Sequence, residues 1–138
     1  MTDFIYDPRL AADTFAVLAL PLCDVRLMND ARWPWLILVP RIADASEVHD
    51  LSDATQIQLA QETALVARAL KDVTNCEKIN SAAIGNIVRQ LHVHVIARSQ
   101  DDGNWPGPVW GFGAKVLYDP AAVAGRIKAL KMRIESAV

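Results

Sequence analysis

The stretch Gln90–Arg98, QLHVHVIAR, decides how the chain is read. Polar and apolar side chains alternate in it with a period of two, and its valines and isoleucine favour a pleated, half-buried strand over a helix. The pattern predicts a strand over Ile87–Ala97, with Gln90, His92 and His94 on one face and Leu91, Val93 and Val95 on the other. At a rise of about 3.3 Å per residue, the two histidines stand about 6.6 Å apart at Cα, near enough to meet successive atoms of one phosphate-bearing ligand. Only three histidines occur in the chain, so two on one strand face ask for a purpose. Imidazoles without a catalytic part, a metal pair and phosphate chemistry all fit the pattern.

Upstream, SAAIGN supplies a loop with Gly85 near its end, and CEKIN, Cys76–Asn80, reads as a short strand. Before that, DATQIQLAQETALVARALKDV, Asp53–Val73, carries Ile57, Ala60, Ala64 and Ala67, with Val66 and Leu70, at roughly helical spacing. Ser52 or Asp53 can accept from an orphan N–H of its first turn. Two earlier apolar runs, VRLMND at Val25–Asp30 and WLILVPR at Trp35–Arg41, flank turn-forming residues and predict adjacent antiparallel strands, the second ended by Pro40. Downstream, QDDGNWPGPVWGFG is hostile to regular structure and reads as an ordered loop or arm bearing Trp105, Trp110 and Phe112. Asp119 then caps a terminal helix with Pro120 in its first turn and Val123, Ile127, Leu130 and Ile134 in one stripe. Its Arg126, Lys128, Lys131 and Arg133 read as a solvated face.

At 138 residues and 15.2 kDa, without repeat or linker, the chain is expected to be a single domain, 1–138. A chain of this size buries about two-thirds of its unfolded surface and needs no staples. Cys23 and Cys76 match no CxxC pattern and read as reduced core thiols. The opening MTDFIYDPRL has acids and a proline where a secretory signal needs a basic start, and no segment reaches the roughly 18 apolar residues of a span. A cytoplasmic protein with no membrane partner is expected. With 14 basic and 16 acidic side chains, the net charge of −2 gives no drive toward nucleic acid by counterion release.

A closed zinc site needs about four ligands, and the third histidine, His49 in EVHDLS, reads more readily as a cap or packing residue. Metal is therefore the minor reading. The surroundings of His92 and His94 point elsewhere: GNIVRQLHVHVIAR resembles the signature of the histidine triad family, Gly-Gln-Ser/Thr-Val before His-φ-His-φ-His-φ-φ. WLILVPR is similar to the family's strand ending in Pro and a basic residue. VHDL is similar to the His-Asp-Leu before the main helix in the branch that hydrolyses dinucleoside polyphosphates, and Asn80 stands near its phosphate-binding asparagine. The resemblance covers about residues 24–100 and leaves 101–138 as a C-terminal arm and helix.

That resemblance implies an α+β fold, HIT-like, with a five-stranded antiparallel sheet, a long helix on one face and a C-terminal helix. It implies a homodimer, which mass in solution tests, and a purine nucleotide or nucleotide conjugate as ligand. By match to the motif, His92 is the nucleophile that holds a nucleotidyl group, His94 donates to phosphate oxygens, and Gln90 takes the first position of the catalytic set. Asn80 and Asn86 would donate to phosphate oxygens, and Asn29 would meet the ribose. No cofactor bound by the protein is expected, and a divalent metal associated with the substrate is compatible with the chemistry.

The chemistry asks for such groups on its own terms. A phosphorus ringed by anionic oxygens repels nucleophiles, so donors must surround it and a neutral imidazole must lie in line with the leaving group. Imidazole, with a reference pKa near 6.5, keeps a free lone pair at neutral pH, and covalent catalysis splits the hydrolysis into two displacements. Asparagines bring N–H donors without negative charge. Two departures stand in the same corner. Gln90 cannot cycle a proton, and Trp35 occupies a position where many family members carry another histidine. Three readings follow: a nucleotide hydrolase or nucleotidyl transferase, a nucleotide-binding sensor or regulator without turnover, and, third, a metal-dependent enzyme.

Overall fold

A computed structural model describes residues 4–138. Along the chain run α1 (Pro8–Asp13), β1 (Thr14–Ala19), β2 (Cys23–Met28), β3 (Trp35–Pro40), α2 (Asp53–Thr74), β4 (Lys78–Ala82), β5 (Val93–Arg98) and α3 (Pro120–Ala137). The strands form one antiparallel sheet in the order β1-β2-β3-β5-β4, the α+β architecture that the resemblance implied. Among the described residues no helix is long and apolar enough to cross a membrane.

Central β3 reads WLILVP and is buried at every position, because both faces of the sheet are covered there. Leu36 and Leu38 join a core with α2 and α3, while Trp35, Ile37 and Val39 join a second cluster on the opposite face. The strand ends at Pro40, which has no N–H to offer another rung.

Helix α2 starts where the sequence puts it, with the Ser52 hydroxyl accepting from Thr55 N at 3.2 Å. Its inner face differs from the expected stripe: Leu59, Glu62, Val66, Ala69 and Leu70 are buried, whereas Ile57 is 59% exposed. The inner face includes Glu62, whose carboxylate accepts from Leu22 N at 2.9 Å, Cys23 N at 2.8 Å and Gln58 Nε2 at 2.7 Å. A carboxylate that ties down the β1–β2 turn is worth burying, and a count of apolar residues passes over it. Burial, with Glu62 beside it, pushes the Cys23 thiol up, and both cysteines are buried and free. On α3, Asp119 accepts from Ala122 N at 3.3 Å, and Val123, Leu130 and Ile134 are buried as expected, with Ile127 packed against them.

Three strands are displaced from their expected bounds, β2 lying at Cys23–Met28 rather than Val25–Asp30. β4 lies at Lys78–Ala82 rather than Cys76–Asn80, and β5 begins at Val93 rather than Ile87. Residues just before Val93 turn to other partners: Leu91 N donates to the Ala45 carbonyl at 2.9 Å, so the chain leaves the sheet there. α1 and β1 have no clear signal in the sequence. In β1 the pairing shifts register between Ala16 and Leu18, and the buried Thr14 and Val17 stand three apart, which hides the period of two.

Candidate active site

The site grows from the alternation of β5. Val93, Val95 and Ala97 enter the core beneath α2, so His94, Ile96 and Arg98 face the other way. His94 stands opposite Ile37 of β3 and Ala82 of β4, and Asn80 of β4 pairs with Ile96, which puts Asn80 on the histidine side of the sheet. His92 lies just before β5, with its ring centroid 4.9 Å from that of His94. Both imidazoles are buried, at 6% and 5% exposure.

Their hydrogen bonds fix opposite tautomers. The indole N–H of Trp35 approaches His94 Nδ1 at 3.0 Å. An indole N–H can only donate, so Nδ1 accepts and the proton of neutral His94 resides on Nε2. Burial, then the neighbouring His92, lowers the pKa of His94 to about 3, which keeps it neutral. His92 Nδ1 lies 2.7 Å from the Gln90 carbonyl oxygen. A carbonyl only accepts, so this nitrogen carries a proton, and in the neutral ring Nε2 keeps its lone pair. One ring thus offers a nucleophilic nitrogen and the other an N–H donor. Trp35, which the sequence presents only as a missing histidine, is what sets the second.

Around the pair, Trp110 packs edge-on against His94, with centroids 5.2 Å apart, and against Trp35 at 6.2 Å. Its indole N–H is buried without a partner among the described residues. The segment carrying it is anchored by Arg98, which is 1% exposed. The guanidinium donates to both oxygens of Asp102 at 2.7 and 3.1 Å, to the Gly107 carbonyl at 2.8 Å and to Asn80 Oδ1 at 2.9 Å. It lies 5.8 Å from the ring centroids of Trp33 and Trp105. Arg98 holds the Asp102 carboxyl well below the usual range. The aromatic segment therefore packs within the chain, Trp110 on the site and Trp105 on Arg98.

The other expected residues separate. Asn80 joins the histidine side with its oxygen committed to Arg98, leaving its N–H groups to donate. Asn86 is exposed in the loop between β4 and β5. Asn29, just past β2, accepts from Tyr118 N at 2.9 Å and so ties down the approach to α3. The Gln90 side chain turns to the N-terminal segment, accepting from Asp7 N at 2.9 Å and donating to the Ile5 carbonyl at 2.8 Å. His49 is exposed in a 3₁₀ turn at Val48–Asp50. Among the described residues no three His, Cys, Asp or Glu side chains converge as a metal-ligand set. The sequence marks the position of Trp35 but not its bond to His94, and it does not single out Arg98 or Trp110, because the partners lie 59, 4 to 18 and 16 positions away and the sequence does not state which side chains meet.

A family model described as HIT domain matches residues 9–101. Three solved structures of histidine triad proteins are similar over nearly the whole chain. One from Sinorhizobium meliloti 1021 shares 52% identity, covering 98% of this chain and 97% of its own, with a TM-score of 0.89. One from Bradyrhizobium japonicum shares 46%, covering 95% and 98%, with a TM-score of 0.93. One from Marinobacter aquaeolei VT8 shares 41%, covering 98% of each chain, with a TM-score of 0.94. No curated protein matches.

Proposed function

The chain belongs to the histidine triad family, and from that premise we propose that it is a nucleotide hydrolase or nucleotidyl transferase working through a covalent intermediate on His92. Membership itself supports the broad class of nucleotide-binding hydrolases and transferases. The observation that carries the finer reading is the pair of opposite tautomers, bare Nε2 on His92 and protonated Nε2 on His94.

In the first displacement His92 Nε2 attacks the α-phosphorus. A P–N bond forms, the bond to the leaving group breaks, and the leaving group departs with the electron pair. His94 Nε2–H and the free N–H groups of Asn80 stabilise the charge gathering on the phosphoryl oxygens, with Asn86 as a further donor from its loop. In the second displacement water attacks phosphorus and gives up a proton to solvent, the P–N bond breaks with its electron pair returning to His92 Nε2, and the released nucleotide carries the new oxygen. Gln90 has no proton to give the leaving group, so solvent must supply it or the group must leave as a stable anion. Phosphate-type leaving groups are accordingly favoured over amines.

A second reading, nucleotide binding without turnover, draws support from the same residue, because Gln90 is occupied by the N-terminal segment. One experiment separates the two. Incubated with a dinucleoside polyphosphate or a nucleotide phosphoramidate, quenched under non-acidic conditions and digested, the protein is expected to carry a nucleotidyl group on His92. His92→Ala should lose adduct and turnover while keeping most of the nucleotide affinity. Full activity in His92→Ala sinks the covalent mechanism, and binding with neither adduct nor turnover in the wild type selects the second reading.

A further inference from the structure

The histidine side of the sheet is not open. Phe4–Asp13 crosses it, with Leu10 buried in the cluster of Trp35, Ile37 and Ile96, and with Phe4 and Tyr6 packed at its edge. The Tyr6 hydroxyl donates to Asp24, and its ring lies under the Arg26 guanidinium at 5.1 Å. The Gln90 amide bonds two backbone groups of this segment, the Ile5 carbonyl and the Asp7 N–H, much as a strand neighbour would. Beside these bonds is an open cleft of about 780 Å³ whose walls include Gln90, Tyr6, Asp7, Arg41 and Ser46. With this segment in place His92, taken as a whole residue, is 6% exposed.

We propose that Phe4–Asp13 is a strap that closes the histidine side and opens to admit ligand, with Gln90 as its latch. The residue in the first position of the motif holds a conformation where a histidine would move a proton. The anchoring is light: among residues 4–13 only Leu10 is fully buried, and the rest hold by a few hydrogen bonds and partly covered rings. Segments with so little buried area open at a free energy well below that of global unfolding. The junction of α1 with β1 at Asp13 and Thr14 is the natural hinge.

The test uses histidine modification, so it does not depend on the nucleotide reading. Diethyl pyrocarbonate is applied at neutral pH, and each histidine is followed by peptide mass spectrometry. Exposed His49 serves as the internal reference. In the wild type, His92 should react at least about tenfold more slowly than His49, at a rate set by strap opening. Leu10→Ala removes the buried anchor, and Gln90→Ala removes the latch while leaving the backbone carbonyl that His92 uses. Each should raise the His92 rate about tenfold relative to His49 with the near-ultraviolet circular dichroism retained. If Leu10→Ala does not fold, Gln90→Ala decides alone. An unchanged ratio in the folded variants, or a wild-type His92 as reactive as His49, overturns the strap. AMP added to Leu10→Ala should protect His92. A raised ratio without protection leaves the strap standing and removes the nucleotide.

Discussion

Toward α2 and α3 the sheet presents Leu27, Leu36, Leu38 and Val95, all fully buried in one apolar core, while its opposite side presents Trp35, His94 and Arg98 beneath the short α1 segment and an irregular arm. The first side is sealed by amphipathic helices and holds by area. The second is covered by the strap at its N-terminal end and by the Ser99–Gly113 arm, and it holds by hydrogen bonds, one buried cation and stacked rings. Chemistry sits on the second because polar groups need partners rather than volume, and partners on irregular segments can let go. The difference predicts distinct responses to mutation, pH and ligand.

The largest effect should come from Arg98. Removing one member of a buried ion pair leaves an uncompensated charge and costs about 3–5 kcal/mol. Arg98→Ala strands Asp102, which is 10% exposed, together with the Gly107 carbonyl. On the helix-covered side, Leu70→Ala should cost about 2–5 kcal/mol through transfer and cavity terms. The two losses are similar in size and separable in kind. Urea unfolding gives the magnitudes, and tryptophan emission of the native state should change in Arg98→Ala, where Trp105 and Trp110 lose their anchor, and not in Leu70→Ala. An Arg98→Ala loss below about 1 kcal/mol would mean that the arm holds without its cation and would break the contrast.

How much of this was legible follows the same division. The start of α2 at Ser52, the cap of α3 at Asp119, the end of β3 at Pro40 and the two-faced alternation of His94 with Val93 and Val95 are local facts, written within a few residues. The strap is not, since its hold on Gln90 spans 83 to 85 positions and its strand neighbour β1 hides its period behind a bulge. Glu62 defeats periodicity for another reason: a buried carboxylate with three donors is indistinguishable in sequence from a solvated one.

Acid should sharpen the contrast next. His94 is held neutral in the fold, with its pKa lowered to about 3, against a reference of about 6.5 when unfolded. Between these values the unfolded chain binds one more proton, so stability falls as pH falls, with a limiting slope of about 1.4 kcal/mol per pH unit. Above pH about 6.5 this contribution is fully present. Urea midpoints at pH 6.5 and 4.5 should reveal a loss of about 2–3 kcal/mol, in a window that lies above the carboxyl range that Asp30 and Asp102 leave downward. His94→Gln, which can still accept from Trp35 and does not titrate there, should flatten the dependence. An equally steep loss in that variant would locate the acid sensitivity elsewhere in the fold.

The smallest effect is the most discriminating, because it asks whether two asparagines with the same proposed ligand differ in what else they do. Asn80 gives its amide oxygen to the Arg98 guanidinium, so Asn80→Ala removes a bond to a buried charge. Such bonds are worth about 1.5–3 kcal/mol, and with Asp102 and Gly107 still in place the loss should sit at the lower end, about 1.5 kcal/mol. Asn86 is exposed in its loop, and Asn86→Ala should change stability by no more than about 0.5 kcal/mol. Toward AMP both variants should lose about 0.5–3 kcal/mol of binding, since each removes a donor to an anionic oxygen. Calorimetry on the two proteins, paired with their urea curves, separates the cases. Loss of affinity in Asn80→Ala alone would confine phosphate recognition to the side chains fixed by the sheet and Arg98. Unchanged affinity in both would remove the asparagines from the site and leave His92 and His94 as its polar groups.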